Sequence, residues 1–508
     1  MINPKGLLLI GEILLQFIKM AIDPIKNKLE GRVMKKAITI ITMLLVVFAG
    51  LGIYTPVQAA AYGTHFTTSI TYQNVGNGTA TVVLNFYPEA DGTPISIDLP
   101  DLNSFAGSSL FVGSISQVAA GFSGSAVMSS DQPLVATLVQ VPPASSAVKV
   151  RPLTNGFDSG AASVLIPTVL KSTFGFTSIF SIQNVDTVGA DLDVEFIPVS
   201  GTPFTVTVDN LPSGSAKYYD MGTFTNASLG SSFNGSVRIT ASKTGTATPG
   251  SVIATSLELG LNLNNAYGFE GATVFGTNLY MPSAFCKYTA ASYLSVYAVQ
   301  NVGTSPIDIT VTYSNSNSET YSAVAGGAKV SINGCGKTGL LNPAGFIGSA
   351  VVTGTGPITG MAKVSTNTGM ITAFLGFTEG AEKIALPFVR WTADATYNSG
   401  ARSRGVIAIQ NLGAAIAAGD AVVEYYDKDG ALVGTHTLPA IPAGGKVNSR
   451  PIDASASLIE FGYYANGTFG GSAVVVGPTG STLAAIVRIS TNGGGVLAAE
   501  DYNGIPIQ

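Results

Sequence analysis

Charge and histidine are what this chain has least of. Only 11% of its 508 residues are Asp, Glu, Lys or Arg, and only two are histidine, His65 and His436. A Ser-His-Asp or Cys-His arrangement would have to recruit one of those two. His65 precedes the first strand pattern and His436 falls inside an alternating one, so both read as solvated or structural. The same scarcity argues against a histidine zinc site. Tryptophan occurs once, at Trp391, and no acidic position is shared by all the repeats described below. Paired carboxylates for glycosidase chemistry therefore have no signature here. No basic stripe exists, which argues against nucleic acid as a partner. Past the N-terminal region no run of about 18 apolar residues is long enough to span a membrane. These shortages together predict a chain without catalytic residues, metal or cofactor.

What the chain has in abundance is Gly, 60 residues of it, with Ser, Thr, Val and Ala. That bias suits strands joined by tight turns. Met34-Lys35-Lys36, the apolar run from Ala37 to about Gly52, and small residues at Val57 and Ala59 compose a secretory leader over 34–59, cleaved after Ala59. Residues 1–33 read as an upstream extension, and 1–59 are set aside from fold reasoning.

The rest repeats. Gln-Asn recurs at Gln73-Asn74, Gln183-Asn184, Gln300-Asn301 and Gln410-Asn411, at spacings of 110, 117 and 110 residues. Each pair ends an alternating run such as Ile70/Tyr72 or Phe180/Ile182, the pattern of a strand with one buried face. The Asn enters a turn, where its side chain can cap its own backbone. A second alternating strand follows, for example Val82/Leu84/Phe86 and Leu192/Val194/Phe196, and then a hairpin turn such as Asp91-Gly92 or Asp429-Gly430. Phe-x-Gly-Ser opens a further strand at Phe122, Phe233, Phe346 and Phe469, its Gly permitting a bulge or a close backbone approach. Gly-Phe then leads to an apolar-Pro at Pro167, Pro282 and Pro387, each Pro expected at the start of the next repeat's first strand.

Four landmarks in four copies predict an all-β chain of four tandem immunoglobulin- or fibronectin-like β-sandwich domains, 60–162, 163–277, 278–383 and 384–508, with about seven strands each. Short linkers predict a semi-rigid rod, about 35–40 Å per module. Repeat 1 begins short, without the apolar-Pro landmark. The chain ends at Ile505-Pro506-Ile507-Gln508, the beginning of an opening strand, which is a candidate assembly strand for pairing with repeat 1 of the next molecule.

Three smaller features complete the inventory. Cys286 and Cys335, both in repeat 3, are read first as a disulfide and second as two buried thiols. Asp427-Lys428-Asp429-Gly430 looks like the start of a calcium loop, but Leu438 at the twelfth position excludes an EF-hand and leaves a hairpin turn. Tyr218-Tyr219 and Tyr463-Tyr464 are possible sugar platforms, core packing being the commoner use.

The apolar-Pro start, the Gln-Asn strand end, the acidic-Gly hairpin, Phe-x-Gly-Ser and the closing Tyr502-Asn503-Gly504 resemble the tandem immunoglobulin-like repeats of bacterial secreted and cell-surface proteins. The resemblance implies a sheath, surface-layer or adhesive component and no catalytic residue. The leading expectation is an extracellular structural protein that polymerises with itself. The alternative is an adhesin that holds cell-surface glycans.

Overall fold

The structure is a computed structural model that describes residues 60–392, 402–462, 471–493 and 496–507. The leader over 34–59, the 1–33 extension, Tyr463-Tyr464, Phe469-Gly470 and Gln508 lie outside the described residues. The described part belongs to one compact unit, Ala59–Gln508.

Every element of size is a strand. Repeat 1 holds β1 (Thr67–Asn74), β2 (Ala80–Pro88), β3 (Ile95–Leu102), β4 (Gly107–Phe111), β5 (Gly124–Ser130), β6 (Leu134–Val141) and β7 (Leu153–Asn155). Repeat 2 holds β8 (Ser163–Lys171), β9 (Phe176–Asn184), β10 (Ala190–Pro198), β11 (Phe204–Leu211), β12 (Ala216–Asp220), β13 (Phe233–Lys243), β14 (Val252–Gly260) and β15 (Ala266–Glu270). Repeat 3 holds β16 (Gly276–Cys286), β17 (Leu294–Asn301), β18 (Ile307–Tyr313), β19 (Ser318–Val324), β20 (Lys329–Asn333), β21 (Phe346–Ser365) and β22 (Ile371–Leu375). Repeat 4 holds β23 (Lys383–Leu386), β24 (Trp391–Thr392), β25 (Arg402–Asn411), β26 (Val422–Tyr426), β27 (Leu432–Thr437), β28 (Lys446–Ser449), β29 (Glu460–Phe461), β30 (Ser472–Val476), β31 (Leu483–Gly493), β32 (Val496–Asn503) and β33 (Ile505–Ile507).

The all-β sandwich expectation holds, with a strand order of its own. Repeat 2 pairs β11-β10-β13-β8 in one sheet and β12-β9-β14-β15 in the other. Repeat 4 keeps both orders, and repeat 3 does so with the long β21 running through both sheets. In the immunoglobulin order the first strand lies beside the second and the last beside the sixth. Here the first strand, β8, lies beside the sixth, β13, and the seventh, β14, beside the second, β9.

Alternation sets the core. In β10 the inward residues Ala190, Leu192, Val194 and Phe196 are buried, while Asp193 faces solvent. Fully burying one such large side chain contributes about 1.5–3 kcal/mol. The aromatic of Phe-x-Gly-Ser packs edge-on against the aromatic ending the hairpin strand, as Phe122 on Phe86, Phe233 on Phe196 and Phe346 on Tyr313. In repeat 4 Phe461 packs edge-on against Tyr425 in the same way. The motif Gly is required by space: a Cβ on Gly235 would stand 2.3 Å from the Ile197 carbonyl oxygen, and one on Gly124 2.0 Å from that of Tyr87.

Three expectations change. The apolar-Pro does not start a strand. Pro167 lies inside β8 where the register with β13 shifts, and Pro282 inside β16 where the register with β21 shifts. A bulge spares the ladder the missing N–H as well as a strand end does. Pro387 follows β23 directly. Second, the modules do not form an open rod, because repeat 1 touches repeat 4 as well as repeat 2. Third, the candidate assembly strand is engaged in its own molecule: Ile505, Pro506 and Ile507 pair with Ala385, Ile384 and Lys383 of β23.

Candidate functional site

The features shared by all four repeats converge on the seams between them. Each Asn of Gln-Asn caps a turn. Asn301 donates from Nδ2 to the Ser305 and Val324 carbonyls, and its Oδ1 accepts from the Gly303 N–H. Asn74, Asn184 and Asn411 repeat that geometry.

Each Gln points the other way, into a neighbour. Gln300 Nε2 donates to the Gly327 carbonyl at 2.9 Å and to Ser236 Oγ of repeat 2 at 2.7 Å. Gln183 reaches the Gly214 carbonyl at 3.0 Å and the Ala126 carbonyl of repeat 1 at 3.4 Å. Gln410 reaches the Gly444 carbonyl at 3.2 Å and the Ala350 carbonyl of repeat 3 at 3.3 Å. Gln73 reaches the Phe105 carbonyl at 3.1 Å and Ser472 Oγ of repeat 4 at 2.7 Å. The partner is in every case the Ser of Phe-x-Gly-Ser or the residue after it. Where the Ser does not accept from the Gln it donates across the same seam, as Ser125 to Gly214 and Ser349 to Gly444. One contact thus recurs four times, and its fourth copy joins repeat 1 to repeat 4.

The turn residue at each seam has left-handed backbone: Gly214 at φ +79°, Gly327 at +73°, Gly444 at +69° and Phe105 at +58°. Glycine takes that conformation without cost, whereas Phe105 must be held in it. What holds it is a stack on Tyr426 of repeat 4, with centroids 4.7 Å apart. The Gly107 N–H donates to the Lys428 carbonyl at the same seam.

The last strands of the four repeats meet along a central line. β15 packs on β7 and β22, and β32 packs on β22 and β7. Asn155 Nδ2 donates to the Asn503 carbonyl at 2.7 Å, its backbone N–H bonds Glu270, and Asn503 exchanges two bonds with Leu375. Charges lie buried there. Lys363 sits 2.9 Å from Glu258, which also accepts from the Tyr267 hydroxyl. Arg488 binds Asp501, which accepts from Thr372 at 2.8 Å, and Arg151 reaches Glu500 at 2.6 Å. Burial pushes the carboxyls of Glu270 and Asp501 above their ordinary range. A cavity among Arg151, Tyr267, Thr372, Glu500 and Asp501 has about 10 Å³ of room, enough for one water molecule. Ligand pockets are typically of about 300–1,000 Å³. All four of these strands carry carboxylates or their partners, yet among the described residues no group of three or more His, Cys, Asp or Glu is placed to hold a metal.

The remaining sequence candidates have structural surroundings. His436 Nδ1 lies 2.8 Å from Ser449 Oγ, a spacing a nucleophile and base would show. Ser449 is fully buried and shares its Oγ with the Tyr425 hydroxyl at 2.7 Å, so no substrate reaches it. Tyr219 is core, and Tyr218 donates its hydroxyl to the Gly124 carbonyl across the first seam. Asp427 caps its own hairpin through the Asp429 and Ala431 N–H groups. Cys286 and Cys335 are bonded, tying the end of β16 to the turn after β20. The seams were hidden in the sequence because a Gln that faces a neighbour and one that faces solvent look alike. The recurrence of Gln-Asn and Phe-x-Gly-Ser at constant separation was the available signal.

Among the described residues no helix is long and apolar enough to cross a membrane. No family model matches the chain and no curated protein matches it. A solved structure of the tetra-tandem repeat in the extending region of a large adhesion protein aligns with 85% of this chain and 93% of that one. The identity is 11% and the TM-score 0.10, which is too low to carry an argument about fold or function.

Proposed function

We propose that the chain is an exported, non-enzymatic bacterial surface protein that works by adhesion, as one closed module rather than as a link in a head-to-tail polymer. The observation that carries this reading is the fourth seam. Gln73 and Ser472, 399 residues apart, make the contact that joins every other neighbouring pair. An open rod leaves one such surface free at each end, and free complementary ends drive filament growth. Here both surfaces are consumed within one molecule, and β33 is paired at home. The buried polar groups hold the seams together and offer no cleft for chemistry. Binding then belongs to outward faces, where strands such as β3 and β11 present Ser, Thr and Asp to solvent, polar groups of the kind that bind cell-surface glycans. Light scattering of the purified exported chain tests the reading together with a glycan array: a monomer that binds glycan is expected. Ordered filaments under the electron microscope would sink it in favour of a sheath or surface-layer subunit.

A further inference from the structure

We propose that the open edge of β5, at the seam between repeats 1 and 2, accepts an extended strand donated by a different protein, apolar on the face it turns to the repeat 1 core. The inference is independent of the adhesion reading.

Repeats 2, 3 and 4 each place an opening strand beside the Phe-x-Gly-Ser strand: β8 beside β13, β16 beside β21, β23 beside β30. Among the described residues repeat 1 shows no such strand, and β5 pairs with β2 alone. The consequence is visible in the core. Val237 and Ile239 of β13, Ala350 and Val352 of β21, and Ala473 and Val475 of β30 are all within 1% of full burial. Ala126 and Met128, at the matching positions of β5, are only half-buried. Leu134, Ala136 and Leu138 of β6 are half-buried too, where Val252, Ala254 and Ser256 of β14 are closed off. Among the described residues repeat 1 therefore has a sandwich core without its side strand.

The chain does not fill the place from its own described start. The Ala61 and Tyr62 N–H groups donate to the Leu263 and Gly260 carbonyls, which draws the N-terminal segment onto repeat 2. The carbonyls of Gly124 and Ala126 are engaged by Tyr218 and Gln183, leaving Val127 to Ser130 as the open stretch. The three internal occupants state the chemistry of what fits. Each is an extended segment with an apolar inward face, such as Val164, Ile166 and Val169 of β8. Two of the three carry a proline bulge. The outer face of an occupant meets repeat 2. There Ser181 and Thr255 stand 2.9 Å apart at the positions held by Ala298 and Met361 in repeat 3, so the donated strand is polar or small on that side. Backbone pairing supplies affinity in this mode and the alternate pockets supply selectivity.

The test uses the full chain and the chain starting at Ala60, with a fluorescein-labelled peptide of the sequence Ser163–Lys171 as probe. Saturable binding to the chain from Ala60 is expected, with amide-exchange protection gained at Met128 and Ser130, whose N–H groups face away from β2. Met128→Lys, which places a charge on the half-open core edge, is expected to weaken binding about tenfold. Ser130→Pro, whose lost N–H points to the open edge and away from β2, is expected to do the same while the β2 ladder keeps its bonds. Equal binding by both variants, or no new protection in β5, overturns the proposal. So does protection of β5 without peptide, which would assign the place to a second copy if the protein is dimeric, or to residues 1–59 if only the monomeric full chain shows it.

Discussion

Two adjacent side chains divide the work at every seam. The Asn faces its own turn and the Gln faces a neighbouring repeat. Asn301→Ala removes three hydrogen bonds at a buried position and is expected to cost about 2–3 kcal/mol, read from the denaturant midpoint. A larger effect belongs to Lys363, whose ammonium is the cationic partner of the fully buried Glu258. Lys363→Met strands that carboxylate and is expected to destabilise by about 3 kcal/mol. Adding Glu258→Gln is expected to recover much of the loss, because the glutamine oxygen still accepts from Tyr267. If the double variant is no better than the single one, the ion pair is not the reason for the loss.

At the scale of elements, the sequence patterns locate strands well and their ends less well. Alternation finds β2 and β10 because one face is buried and the other solvated. It finds β1 and β9 because polar residues such as Thr71, Gln73, Ser178 and Gln183 alternate with the apolar ones, although both faces are largely buried. The same rule put the apolar-Pro at a strand start, and the bulges in β8 and β16 show why it failed: proline needs only an interrupted ladder. β33 could not be assigned from sequence, since a partner strand in the same repeat and one in another molecule demand the same alternation. Removing residues 505–508 uncovers one edge of β23 and is expected to lower the melting temperature while leaving the protein monomeric. The disulfide closes a loop of 49 residues. The chain-entropy model gives about 4 kcal/mol for a loop of that size, so Cys286→Ser with Cys335→Ser is expected to lower stability by about that amount.

At the scale of the whole molecule the question is whether the circuit closes. A double-mutant cycle on Gln73→Ala and Ser472→Ala is expected to show a coupling of about 1 kcal/mol. Independent effects would mean that repeats 1 and 4 do not touch in solution. The seams also carry a pH dependence. Burial, with the nearby charge of Lys363, pushes Lys329 down to about 7. Burial with Arg488 does the same to Lys446. Each amine returns to about 10.5 on unfolding, so the unfolded chain holds more protons between those values. Stability is therefore expected to rise as pH goes from about 7 to 9.5, and to stay flat over that interval in Lys329→Met with Lys446→Met. A midpoint that moves equally in wild type and variant excludes these two lysines as the cause.

The sequence by itself determined the all-β class, the repeat and its period, the hairpins, the buried faces, and the turn role of each Asn. Those properties follow from local alternation and from turn chemistry that acts within a few residues. Only the tertiary structure decided that the repeats close on one another, that each Gln spans a seam, that β33 pairs at home and that β5 pairs, among the described residues, with β2 alone. A contact between Gln73 and Ser472 has no local signature. It depends on the angle at which each sandwich meets the next, which is set by side chains packing across the seams and by four inner strands sharing one buried line.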